Sequence, residues 1–144
     1  MGLDMHLSAK RFIWTDEKEL DQKKLQEIMN TKYRVQYVEL RIGYWRKANQ
    51  IHKWFVENVQ ENNDDCGTYS VSEEKLKELL GVVNRALISK SPEILLPTQG
   101  GFFFGSTDYD EWYVRDLEDT KKIIEEWLNF SDKDKYELYY NSSW

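Results

Sequence analysis

The residues best suited to chemistry lie in two stretches. The first is Leu96 to Tyr113 (LPTQGGFFFGSTDYDEWY), with three of the seven glycines, six aromatic rings and three acids. Thr98, Gln99, Ser106, Thr107 and Tyr109 supply hydroxyls and an amide there, and Trp112 a stacking surface. Asp108, Asp110 and Glu111 supply carboxylates, which at this spacing can hold a divalent cation or take part in acid–base work. The second stretch is Tyr44-Trp45-Arg46-Lys47, a group of rings and cations of the kind that stacks a base and pairs a phosphate. His52 follows it on the apolar side of the same segment. With His6 it is one of only two histidines, so any imidazole chemistry must use one of the two.

No complete catalytic motif is present. A Ser106–His52–Asp arrangement lacks the GxSxG elbow. Gly100, Gly101 and Gly105 form neither GxGxxG nor GxxxxGK[ST], although free amides in a turn can still take an anion. Two histidines and one cysteine without paired spacing argue against zinc. Asp64-Asp65-Cys66-Gly67 lacks the EF-hand series, and its acid pair raises rather than lowers the thiol pKa. No cofactor is implied.

These residues need a scaffold. At 144 residues the chain reads as a single domain, long enough to bury roughly two thirds of its unfolded surface. The lone Cys66 excludes an internal disulfide, which fits a reducing cytoplasm. No run of about 18 apolar residues suggests a membrane span, and the MGLDMHLSAKRF start reads as no secretory signal. A net charge of −6, from 20 basic and 26 acidic residues, disfavours nonspecific nucleic-acid binding. Aromatics make up 15% of the chain, enough to build a core of rings or to present rings to a partner.

Loose alternation predicts a strand over residues 4–14. Thr15-Asp16 with Glu19 then predicts a capped surface helix to Asn30, with Leu20, Leu25, Ile28 and Met29 on its apolar side. Residues 34–42 alternate cleanly as a strand ended by Gly43. From Tyr44 to Gln60 the period turns helical, with Tyr44, Ala48, Ile51, Phe55 and Val59 in one stripe. Residues 61–69 read as a loop. Ser70 and Glu73 are spaced as a capping box for a helix to Ser89, carrying Leu76, Leu79, Leu80, Val83 and Leu87 inward. Pro92 and Pro97 bracket a non-helical link.

Gly101–Gly105 and Glu111–Arg115 are then expected to pair as a hairpin across GSTDYD, with Asp116 capping a helix to Asn129. The alternative is one helix from Asp108 to Asn129 with Ser106 or Thr107 as cap. Residues 135–140 read as a last strand. The expected class is α+β, one mostly antiparallel sheet packed against about four helices.

MGLDMHL, YWRKANQIHKWFVENVQ, DDCG and LLPTQGGFFFGSTDYDEWY together resemble a group of small phage and prophage proteins of no established activity, which begin MGLDMYL. His6 stands where that group has Tyr. The resemblance implies the cytoplasm of an infected bacterium, where small accessory proteins engage host factors or signals.

The function expected is a non-enzymatic binding protein for a host protein or a small nucleotide-like ligand. Its site would be lined by Tyr44, Trp45, Arg46, His52, Thr98, Gln99, Ser106, Thr107, Asp108, Tyr109 and Trp112. One alternative is a nucleotide hydrolase or transferase, with His52 as acid/base, Arg46 on phosphate and Asp108 or Asp110 orienting water. Another is a structural subunit that forms a homo-oligomer through exposed rings.

Overall fold

Alternation along the N-terminal residues produces the strand it predicts. In the computed structural model, which describes residues 2–15 and 21–144, β1 spans Asp4–Phe12. It buries Met5, Leu7 and Ala9 on one face and leaves His6, Ser8 and Lys10 half-exposed on the other. The expected Asp16–Glu19 cap lies outside the described residues. The short α1 (Gln22–Ile28) is capped instead by Asp21, which accepts from the amides of Lys23 and Lys24. Ile28 and Met29 are exposed, as suits a surface helix.

The second strand does not stop at Gly43. β2 runs Tyr37–Arg46, antiparallel to β1, with a register shift opposite Leu7/Ser8. The strand continues past Gly43 because Tyr44, Trp45 and Arg46 pair with His6, Met5 and Asp4 of β1, and the Ile123 side chain packs close over the glycine. A Cβ would lie 2.9 Å from Ile123 Cγ2 and 3.1 Å from the Trp45 ring. The helix predicted from Tyr44 begins at Asn49 as α2 (Asn49–Asn58). Tyr44 therefore leaves the predicted stripe, while Ala48, Ile51 and Phe55 are fully buried.

Across the end of the predicted loop and the expected cap, Thr68–Val71 forms β3, whose Ser70 pairs with Tyr139. The cap of α3 (Glu73–Ile88) is consequently Ser72, which accepts from the Lys75 amide, and not Ser70. Leu76, Leu79 and Val83 are buried as expected. The link between the prolines carries one helical turn, α4 (Pro92–Leu95).

The expected hairpin does not form. Gly101–Phe104 is a turn, and α5 runs Glu111–Leu128. The Asp110 carboxylate overrides the strand preference of Trp112-Tyr113-Val114 by accepting from the amides of Trp112 and Tyr113, both at 3.1 Å. Tyr113, Leu117, Thr120, Ile124 and Trp127 then fall inward at helical spacing. The single-helix alternative is correct in kind. Its cap is Asp110 rather than Ser106 or Thr107, and Asp116 is one turn inside.

After a 3₁₀ turn at Lys133–Lys135, β4 (Glu137–Ser143) enters the middle of the sheet. The strand order is β2-β1-β4-β3, all neighbours antiparallel. The class is α+β, one antiparallel sheet with its helices. Phe55 of α2 stacks on Tyr140 of β4 with centroids 3.9 Å apart and planes within 6°. Trp45 of β2 donates to Thr120 Oγ1 of α5 at 2.9 Å. Among the described residues no helix is long and apolar enough to cross a membrane.

Candidate functional site

The turn from β2 into α2 sets the site. Lys47 adopts positive φ (61°), and its amide donates to Leu3 O at 2.7 Å. This reversal places Asn49 and Gln50 at the start of α2, facing the loop between α4 and α5. Asn49 is 1% exposed because three backbone groups of that loop close around it. Its Nδ2 donates to Phe104 O and to Ser106 O, each at 2.9 Å, and its Oδ1 accepts from the Gln99 amide at 2.9 Å. One side chain thus replaces the ladder a hairpin would have provided.

Further bonds stiffen the loop. Thr98 Oγ1 donates to Thr107 O at 2.9 Å, and the Thr98 amide donates to Tyr109 Oη at 3.0 Å. Tyr113 Oη donates to Leu96 O at 2.7 Å, and burial pushes that phenol well above its ordinary pKa. Gly105 has φ +84°, and a Cβ there would meet the Lys47 side chain at 3.0 Å. Glycine is needed on both grounds.

Between these elements lies a cavity of about 300 Å³. Arg46, Lys47 and Gln50 line it from the β2–α2 turn, Thr98, Gly105, Ser106, Asp108 and Asp110 from the loop, and Trp112, Tyr113 and Asp116 from α5. Gln50, 2% exposed, donates through Nε2 to Asp116 Oδ2 at 3.2 Å and more weakly to Tyr113 O at 3.4 Å. Burial raises the Asp116 carboxyl to about 6, the Gln50 bond partly opposes this, and the charges of Asp119 and Asp110 add to it. Arg46 leans on Asp4 at 3.7 Å with its side chain more than half exposed. Trp112 is 68% exposed, and the Arg115 guanidinium lies 5.5 Å from its ring centroid.

The cavity gathers Arg46, Thr98, Ser106, Asp108 and Trp112 from the expected site, with Asp110. The other expected residues are elsewhere. Trp45 is buried against Thr120. Tyr44 donates to Asp4, and its ring is tilted against that of His6 on the opposite face of the sheet. Gln99, Thr107 and Tyr109 brace the loop.

His52 is fully buried, edge-on to Phe104 with centroids 5.5 Å apart. Its Nδ1 is 2.7 Å from Tyr140 Oη and its Nε2 is 3.0 Å from Asp64 Oδ2. Both ring nitrogens are thereby engaged, Nδ1 with the phenol and Nε2 with the carboxylate. Trp144 Nε1 donates to Asp64 Oδ1 at 3.1 Å. This relay ties α2 to β4 and to the 61–67 loop, and it does not open into the cavity, so His52 offers no acid–base group to a ligand there.

The residues that sequence reading missed are Asn49, Gln50 and Asp116. The available signal was the pair of amides Asn49-Gln50 set directly before an apolar stripe, where two exposed positions are not expected. Among the described residues no group of three or more His, Cys, Asp or Glu is placed to hold a metal ion, so the acids at the cavity do not form a metal cage.

Compared with known proteins, the chain matches no family, no curated protein and no solved structure. The class defined is that of the fold, an α+β domain with a cavity where β2, the 96–110 loop and α5 meet.

Proposed function

We propose that the chain is a binding protein that takes a small nucleotide-like ligand in the cavity between the β2–α2 turn and the start of α5. The observation that carries this reading is the composition of one rigidly braced cavity. A buried amide bonded to a half-buried carboxyl forms part of its wall, an exposed indole another part, and two cations line it from the β2–α2 turn. Ligand sites combine concavity, apolar surface and a few fixed polar groups in this manner, and about 300 Å³ is at the lower end of their range. Rings that stack a base and cations that approach phosphate suit a nucleoside or nucleotide.

The reading favours recognition over catalysis at this cavity because the Asp116 carboxyl, raised to about 6 by burial, is already held by Gln50. The blocks that resemble phage and prophage proteins support a setting in the cytoplasm of an infected bacterium, where such a protein would sequester or sense a host nucleotide. The test is calorimetry and tryptophan fluorescence with nucleosides and nucleotides on the intact protein. Saturable binding of one class is expected, and silence at millimolar ligand overturns the reading.

A further inference from the structure

The polar groups of the cavity differ in how much hydrogen-bonding capacity they retain. Asp110 accepts from the amides of Trp112 and Tyr113 through Oδ1 alone, which holds it at the start of α5 and leaves Oδ2 as a further acceptor. Gln50 spends its amide hydrogens on Asp116 and Tyr113 O, leaving only an acceptor oxygen. Asp116 is engaged through Oδ2 alone, and its Oδ1 has no hydrogen-bond partner among the described residues. Gln50 therefore acts as a brace that fixes the Asp116 carboxyl, and together they present acceptors to the cavity without a spare donor.

The donors of the lining are Arg46, Lys47 and the Ser106 hydroxyl; the part of the wall formed by Gln50 and Asp116 offers acceptors, and acceptors select a ligand edge made of donors. Among the nucleobases, guanine alone carries two adjacent donors on its Watson–Crick edge, N1–H and the 2-amino group. Adenine and cytosine place a ring-nitrogen acceptor beside their single amino donor. Uracil flanks its N–H with two carbonyls. For these three an ionised carboxylate meets a lone pair, which costs more than a missing bond.

Resting on the small-ligand reading above, we propose that the cavity is specific for guanine, with the Asp116 carboxylate accepting from N1–H and the 2-amino group and the base lying against Trp112. Arg46 and Lys47 then stand where a 5′-substituent leaves the base. The guanine edge is common to the nucleoside and its phosphates, so both belong in the test.

The experiment is calorimetric titration of the intact protein with guanosine, inosine, adenosine and xanthosine, repeated with the 5′-monophosphates. Guanosine is expected to bind about tenfold or more tighter than inosine, which lacks only the 2-amino group, and than adenosine. The same order is expected among the monophosphates, with their gain over the nucleosides reporting contact to Arg46 and Lys47. Asp116→Asn presents one donor and one acceptor, which matches xanthine (N1–H beside a 2-carbonyl). It is expected to lose guanosine by about tenfold and to gain xanthosine.

Equal binding of guanosine, inosine and adenosine overturns the specificity and leaves the small-ligand reading standing. Binding of none of them overturns both. A substituted protein that loses guanosine and xanthosine alike also overturns the proposal. The inosine comparison needs no substitution, so it decides the matter even if Asp116→Asn does not fold.

Discussion

Gln50, in the first turn of α2, places its Nε2 3.2 Å from Oδ2 of Asp116, in the second turn of α5. The two residues are 66 apart in the chain, and their contact joins the two helices whose ends frame the cavity. Gln50 is buried, and Asp116 carries a carboxyl raised to about 6. One bond thus positions an acid that lines the cavity and partly offsets the cost of its partial burial.

The first expectation concerns stability and pH. The folded pKa of Asp116 is raised, so the folded state holds the proton more tightly than the unfolded state. Its contribution is most favourable below the ordinary carboxylate range near 3.8 and falls as pH rises to about 6. Asp116→Asn removes that loss. Relative to the parent, it is expected to be more stable by about 1 kcal/mol at pH 7.5, after allowance for solvent screening, and unchanged near pH 3.5. Urea unfolding at both pH values checks this.

Guanosine binding carries the opposite pH signature. The ionised carboxylate is the acceptor, so affinity is expected to fall as pH drops below about 6 and to level off above 7. Asp110 and Asp119 favour the proton on Asp116, Arg46 and Lys47 stand on the opposing wall, and Asp108 faces it from the loop. The pH profile of the dissociation constant should flatten in Asp116→Asn, which has no proton to exchange.

Asn49 is expected to be the most sensitive polar residue in the loop's support. Asn49→Ala leaves Phe104 O, Ser106 O and the Gln99 amide without their partner. The expected cost is about 2–4 kcal/mol, because several buried groups lose bonds at once. Hydrogen exchange should show the Gln99 amide losing protection before the amides of β1 do.

His52 separates structure from site. His52→Gln breaks the relay between Tyr140 and Asp64 and is expected to destabilise by about 2–3 kcal/mol. Ligand affinity of the folded fraction should change less than about twofold, because His52 does not line the cavity. A loss of affinity as large as that for Asp116→Asn would return the histidine to the site.

Gly43 tests the packing of α5 on the sheet. A Cβ at 2.9 Å from Ile123 Cγ2 makes Gly43→Ala an overpacking change of about 1–3 kcal/mol. In Gly43→Ala/Ile123→Ala the nearer clash partner is gone and only the Trp45 ring remains close, so the two costs should sum to less than additivity in a double-mutant cycle by chemical denaturation.

Amphipathic periodicity made much of this fold legible. Met5, Leu7 and Ala9 mark β1, and Leu76, Leu79 and Val83 mark α3, because each buries one face against the rest of the molecule. The failures fall where a local preference and a tertiary contact disagree. Gly43 reads as a terminator, yet β2 continues because β1 pairs with Tyr44, Trp45 and Arg46, and the missing side chain makes room for Ile123. Trp112-Tyr113-Val114 read as strand, yet one carboxylate cap at Asp110 turned them into helix.

For the site, Arg46, Thr98, Ser106, Asp108 and Trp112 were legible because rings, charges and hydroxyls cluster in sequence. Gln50 and Asp116 were not, since neither is unusual on its own helix and their meeting depends on how α2 and α5 cross. His52 was misplaced because a histidine on an apolar stripe looks the same whether it faces a cavity or, as here, a buried tyrosine and aspartate.

The most direct test is a titration of uniformly ¹⁵N-labelled protein with guanosine, followed by two-dimensional amide and indole spectra. Shifts centred on the amides of Gln50, Ser106 and Asp116 and on the Trp112 indole, with little change on β3 and none for adenosine at equal concentration, are expected. An unchanged spectrum at millimolar guanosine, or shifts centred away from these residues, would contradict the assignment of the cavity as the ligand site.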